Sequence, residues 1–147
     1  MKTRFILFGL LLFFCTNLFS QIRKIPAEVT VAMNERYPHA EKISWKDNIS
    51  SFRAEYVLNG VEMKSDFTSK GEWIASEKKV AFETLPENIL NGFLKSKYTD
   101  WAKGNVAEVT KQGKPLQYRI YVRKNAVEKK YLYFNVDGVL IREAITL

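Results

Sequence analysis

One histidine and one cysteine bound the chemistry open to this 147-residue chain. A Cys–His pair would have to join His39 to Cys15, which sits in an apolar run near the N-terminus. A serine triad would have to use His39 as its base, and no Gly-x-Ser-x-Gly elbow surrounds any serine. His39 follows Pro38 at a helix exit, the position of a solvated loop histidine. Structural zinc takes four ligands, and Cys and His together supply two. Gly60, Gly71, Gly113 and Gly138 each fit a turn, and none belongs to a phosphate-binding loop. Acid–base work needs positioned carboxylates, and Glu55 could meet Glu62 or Asp66 across strands. These acids alternate with Lys and Arg, as on a solvated strand face. Asp137-Gly138 lacks the acidic partners of a calcium loop. No catalytic residue, cofactor or metal is expected.

Binding chemistry is better represented. Tyr and Arg are enriched at interaction hot spots. Successive strand residues point to opposite faces. Leu116, Tyr118, Ile120 and Val122 therefore turn inward with Leu132 and Phe134, beneath the helix residues Ile89, Phe93 and Leu94. The opposite face carries Gln117, Arg119, Tyr121 and Arg123, with Tyr131 and Tyr133 on the next strand. Arg119, Tyr121, Arg123, Tyr131 and Tyr133 are the candidate partner-binding residues. In the first half, Phe52, Ala54, Tyr56, Leu58, Val61, Met63 and Phe67 turn inward. Arg53, Glu55, Glu62, Lys64 and Asp66 turn outward, a face of mixed charge suited to water.

The elements that hold these residues come in two sets. Pro26 and Pro86 each open an amphipathic helical run, with Val29, Met33 and Tyr37 in the first and Ile89, Phe93 and Tyr98 in the second. Pro38 stops the first run. Alternating β-rich segments follow each helix: 42–46, 51–58, 61–68 and 72–80, then 105–111, 116–123, 129–136 and 139–145. Asn59-Gly60 is a strong two-residue hairpin signal, because both positions of that turn want positive φ. Ser69-Lys70-Gly71, 112–115, 124–126 and Asp137-Gly138 supply the other turns. Phe67, Gly71 and Trp73 align with Phe134, Gly138 and Leu140. The spacing predicts an α+β fold, a tandem repeat of a helix plus a four-stranded antiparallel sheet. Residues 21–81 form the first unit and 82–147 the second, sharing a core or joining sheet edges. Trp45 and Trp73 are expected in packed positions and Trp101 at the junction of the halves.

Residues 1–20 read as a secretory signal peptide. Lys2 and Arg4 precede the apolar run from Phe5 to Cys15, too short to span a bilayer. Cleavage near Ser20/Gln21 would remove the cysteine. Phe14 immediately before Cys15 fits a lipidation site badly, so no anchor and no transmembrane segment is expected in the mature chain. An aromatic content of 14% and a hydrophobic content of 46% exclude a disordered chain. The net charge of +7 is scattered, with Arg23-Lys24, Lys78-Lys79 and Lys129-Lys130 as tight pairs, and forms no stripe for nucleic acid.

The pattern Pro26…Ala32…Tyr37-Pro38-x-Ala40…Trp45, then Tyr56-x-Leu58-Asn59-Gly60…Phe67-x-x-x-Gly71-x-Trp73, resembles the PepSY-like, β-lactamase-inhibitor-like exported proteins of the Bacteroidetes. Leu85-Pro86, Tyr118 and Tyr131-x-Tyr133-Phe134-x-x-Asp137-Gly138 extend the resemblance through the second half. It implies a tandem helix-plus-sheet fold and a periplasmic or outer-surface location. The expected function is an exported, non-enzymatic module binding an envelope or extracellular protein or peptide through its open sheet face. The alternative is a periplasmic small-ligand carrier or sensor with a cavity between helix and sheet.

Overall fold

The computed structural model describes residues 23–146, and the signal segment with Cys15 lies outside them. Helix α1 (Ala27–Arg36) precedes strands β1 (Glu41–Asp47), β2 (Phe52–Leu58), β3 (Val61–Phe67) and β4 (Trp73–Val80). A 3₁₀ turn (Phe82–Thr84) leads into α2 (Glu87–Leu94) and strands β5 (Ala102–Lys111), β6 (Lys114–Arg123), β7 (Lys129–Asn135) and β8 (Leu140–Ile145). All eight strands form one antiparallel sheet in sequence order. The halves join at their sheet edges, with β4 from Ala75 to Val80 paired to β5 from Val106 to Lys111.

The register fixes which side chains share a face. One row runs Tyr56, Met63, Lys78, Glu108, Tyr118 and Phe134 across β2 to β7. Both helices cover this side. Val29 and Met33 of α1 pack on Phe52, Ala54, Tyr56 and Phe67. Ile89 and Phe93 of α2 pack on Val106, Ile120, Val122, Leu132 and Phe134. The two cores do not merge, because the sheet between them carries polar groups on the helix side. Lys78 pairs with Glu108 at 3.2 Å there. Beside it, Ser76 Oγ accepts from Trp73 Nε1 at 2.8 Å and lies 2.6 Å from the Tyr37 hydroxyl and 2.7 Å from Ser65 Oγ.

Each helix begins immediately after its proline, whose carbonyl takes the first free N–H groups. Pro26 accepts from Val29 and Thr30, and Pro86 from Ile89 and Leu90. The hairpin signal at Asn59-Gly60 gives the expected turn, with φ of 51° and 78°. Each helix also rests on a turn of its own half. A Cβ on Gly71 would lie 2.5 Å from the Glu28 carbonyl oxygen, and one on Gly138 2.1 Å from that of Asn88. Backbone therefore meets backbone at both seats, and α2 returns the contact through Gly92, whose Cβ would lie 1.9 Å from the Gly138 oxygen.

Three expectations need correction. The second helix stops at Leu94, short of Tyr98. Ser96 ends it, bonding its backbone N–H to the Phe93 carbonyl and accepting the Tyr98 N–H on its hydroxyl. Tyr98 thus enters the core through a turn, while Leu94 is 61% exposed instead of buried. Trp101 does not plug the junction of the halves. It packs edge-on against Tyr98, 5.0 Å between rings, beside the α2 core.

Candidate functional site

The side of the sheet away from the helices carries the candidate residues. A row runs Val57, Glu62, Lys79, Ala107, Arg119, Tyr133 and Arg142 from β2 to β8. Tyr121 and Tyr131 are directly opposed in the next row toward the other strand ends. Their rings sit 5.5 Å apart. Gly104 makes room for this pair, since a Cβ there would come within 2.5 Å of the Tyr121 ring.

Arg119 is not a free contact residue. Its guanidinium crosses β5 to make a bidentate ion pair with Glu77, one bond at 2.8 Å, and both side chains are 14% exposed. Ala107 and Val109, on this otherwise open face, are buried. Ala107 directly opposes Arg119 and Val109 directly opposes Glu77, so the bridge passes over both strand positions. The guanidinium also stands 4.7 Å over the Tyr131 ring. Its Nε is buried without a hydrogen-bond partner. Arg119 therefore braces Tyr131. A cleft of about 150 Å³ opens beside the bridge, lined by Lys64, Glu77, Lys79, Asn105, Arg119 and Tyr131, among others.

Tyr133 is 9% exposed. Arg142 covers it at 3.5 Å from the ring centroid, and Lys111 approaches at 5.9 Å. Arg123 lies exposed at the end of β6, opposite Lys129. The structure thus brings Arg119, Tyr121, Tyr131 and Tyr133 into one neighbourhood and leaves Arg123 at its rim. Sequence reasoning missed Glu77, Gly104 and Arg142. Glu77 was accessible to alternation along β4. Arg142 was not, because the register shifts between Tyr133 and Phe134.

The same side of the first half is wired shut. Arg53 makes a bidentate pair with Asp66 at 2.8 and 2.7 Å. Glu55 takes Lys64 at 2.8 Å and Lys46 at 2.9 Å, and these hydrogen bonds hold its carboxyl down at about 2. Glu62 pairs with Lys79 at 2.8 Å. Each carboxylate that the sequence allowed as half of an acid–base pair is bonded to a cation. Among the described residues, no cluster of three His, Cys, Asp or Glu could hold a metal. No helix among them is long and apolar enough to cross a membrane.

Solved structures share this fold. A protein described as one of the "putative periplasmic proteins" of Bacteroides eggerthii is 26% identical, with a TM-score of 0.76 over 84% of this chain and 90% of that one. A BLIP-like protein from Bacteroides fragilis is 22% identical, with a TM-score of 0.77 over 86% and 90%. A DUF2874 family protein from Bacteroides uniformis is 24% identical, with a TM-score of 0.76 over 82% and 88%. No curated protein matches the chain. Residues 50–142 match the family described as "Putative beta-lactamase-inhibitor-like, PepSY-like". That stretch is more than half of the sequence and contains β2 to β7 whole, and the chain belongs to the PepSY-like family.

Proposed function

We propose that this chain is an exported, non-enzymatic binding module that recognises a protein or peptide through the open face of its sheet. The observation that carries the reading is the aromatic cluster of Tyr121, Tyr131 and Tyr133. It stands on the uncovered side of β6 and β7, held by Arg119 and Arg142. Such a surface acts by complementarity and turns over no substrate. The inhibitor-like names of the family and of the Bacteroides fragilis neighbour agree with that mode of action. Export rests on the N-terminal signal pattern of residues 1–20 and on the periplasmic description of the Bacteroides eggerthii relative. In this reading residues 21–81 and 82–147 are two repeats of one helix-plus-four-strand unit, and the second has kept its outer face for a partner. A carrier with a cavity between helix and sheet has less support, since Val29, Met33, Ile89 and Phe93 fill that space with no exposure.

The test is capture from envelope extract by the immobilised protein. Changing Tyr121 and Tyr131 together to Ala should cut recovery of the captured species at least tenfold, about the loss of one hot-spot side chain, with the circular dichroism spectrum unchanged. Tyr133 is left intact because it is buried under Arg142. Recovery equal to the unmodified protein would remove the sheet face from consideration.

A further inference from the structure

Resting on the sheet-face reading, we infer that the partner is an acidic extended segment. Its carboxylates dock on the cationic outer side of β5–β8 while an apolar side chain between them meets the tyrosines.

The charge pattern differs sharply between the halves. On β2–β4 every outward carboxylate is bonded to a cation: Glu55, Glu62 and Asp66 within that half, and Glu77 by Arg119. On β5–β8 the outward positions carry Lys111, Arg119, Arg123, Lys129 and Arg142 and no acid of their own. Glu77 neutralises Arg119 from β4. Lys111, Arg123, Lys129 and Arg142 make no ion pair among the described residues. Four uncompensated cations around a tyrosine cluster repel one another unless a partner supplies negative charge. An ordinary solubility surface mixes both signs, as β1–β4 does.

Geometry narrows the partner. The guanidinium carbon of Arg142 stands 3.5 Å over the centroid of the Tyr133 ring, the close approach of a stacked pair. Stacking fixes the guanidinium plane and leaves its N–H edges free, the arrangement suited to bidentate capture of a carboxylate. Arg123 is four residues along β6 from Arg119, and Arg142 is two strands across from it. Strand rise and spacing then put Arg123 and Arg142 about 16 Å apart. Extended residues i and i+4 point the same way and lie about 13 Å apart, and flexible arginine side chains close the remainder. Residue i+2 would then rest over Tyr121 and Tyr131. The partner is thus a strand-like segment with acids four apart and an apolar residue midway.

The probe is a fluorescein-labelled extended heptapeptide with two glutamates four apart and a central phenylalanine, followed by anisotropy at low salt. Its counterpart with glutamines is the control. The glutamate peptide should bind about tenfold tighter than the control, as expected of charge-assisted hydrogen bonds, and lose that margin at high salt. Arg123→Gln and Arg142→Gln should each weaken it about fivefold, whereas Lys46→Gln on the first half should not change it. Equal affinity for the two peptides, or no binding of the glutamate peptide at millimolar concentration, overturns the inference. Binding of phosphatidylglycerol vesicles that depends on Arg142 and matches or exceeds the peptide's also overturns it, in favour of a bilayer. The two proposals fail separately. If the double tyrosine change abolishes envelope capture while Arg123→Gln and Arg142→Gln do not, the sheet face stands and the acidic partner falls.

Discussion

Replacing Gly92 by Ala sets two physical arguments against each other. Gly92 is the sixth residue of an eight-residue helix. Helix propensity alone makes the change stabilising by about 1 kcal/mol. The tertiary contact makes it destabilising. The new Cβ would stand 1.9 Å from the Gly138 carbonyl oxygen and 2.9 Å from its carbon. An unstrained carbon–oxygen contact needs about 3.3 Å, so α2 must retreat from the β7–β8 turn by over an ångström. Neither side can yield cheaply, because both are backbone. Ile89 and Phe93 on the same helix have no exposure. Each contributes about 1.5–3 kcal/mol by burial. A radial gap of 0.5–1 Å forfeits about a quarter to a half of each dispersion contact. Because the displacement exceeds an ångström, the larger fraction applies and the loss for the pair is about 1.5–3 kcal/mol. After the propensity gain of about 1 kcal/mol the net is a destabilisation of about 0.5–2 kcal/mol. Urea denaturation followed by far-ultraviolet circular dichroism reads this as a lower midpoint at constant slope. Asn91→Ala is the control, an exposed position on the same helix where propensity acts alone. If Gly92→Ala gains as much stability as Asn91→Ala, α2 does not rest on the turn and the packing argument is wrong.

Glu77→Gln breaks the bridge over β5 and leaves the Arg119 charge in a site 14% exposed; allowing for the remaining solvent, a loss of about 2–3 kcal/mol should appear as a lower thermal midpoint, and an unchanged midpoint would show the bridge to be ornamental. Ser76→Ala removes the oxygen shared by Trp73, Tyr37 and Ser65, leaving the part-buried indole N–H without its acceptor at a cost of about 1 kcal/mol; tryptophan fluorescence should shift with it, and an unaltered spectrum and stability would refute the network. Acid should weaken the fold through Glu143, whose carboxyl is held at about 2, against an ordinary 4.5, by hydrogen bonds from Lys130 and Tyr98 and, more weakly, Lys97. Because its folded value lies below the unfolded one, the contribution is complete above pH 4.5 and is lost as pH falls toward 2. Glu143→Gln should flatten the stability profile in that window and nowhere above it, as followed by urea midpoints across the range.

Local signals carried most of the fold. The two prolines, the alternating strands and Asn59-Gly60 are short-range features, and they placed both helix starts and all eight strands within a few residues. What failed was non-local. Tyr98 occupies the inward position expected of a longer helix, but it arrives by a turn that depends on Ser96. Leu94 looked apolar enough to be buried, yet its position on so short a helix turns it to water. Trp101 finds Tyr98 instead of the other half. The joining of two sheets into one depends on β4–β5 pairing across thirty-odd residues of chain, which alternation within either strand does not encode.

The candidate site shows the same division and adds a change of role. Alternation put Arg119, Tyr121, Arg123, Tyr131 and Tyr133 on one face, and the register agrees. It ranked Arg119 beside the tyrosines because it could not see Glu77 two strands away. Once that pair forms, the guanidinium is held in place over Tyr131, and Tyr131 in turn limits where the Tyr121 ring can lie. Rigid aromatic side chains lose little entropy on binding, so a braced tyrosine pair is a stronger contact than a loose one. Tyr133 and Arg142 exchange roles in the same way: the tyrosine becomes the platform and the arginine the exposed group. The sequence therefore groups side chains that share one face, while the burial of Arg119 against Glu77 and of Tyr133 under Arg142 arises from partners on other strands. A scan confined to the expected residues would mistake losses at Arg119 and Tyr133 for contact energy and overlook Arg142. Comparing the stability loss with the binding loss for each variant separates brace from contact, and only Tyr121, Tyr131, Arg123 and Arg142 should lose binding without losing fold.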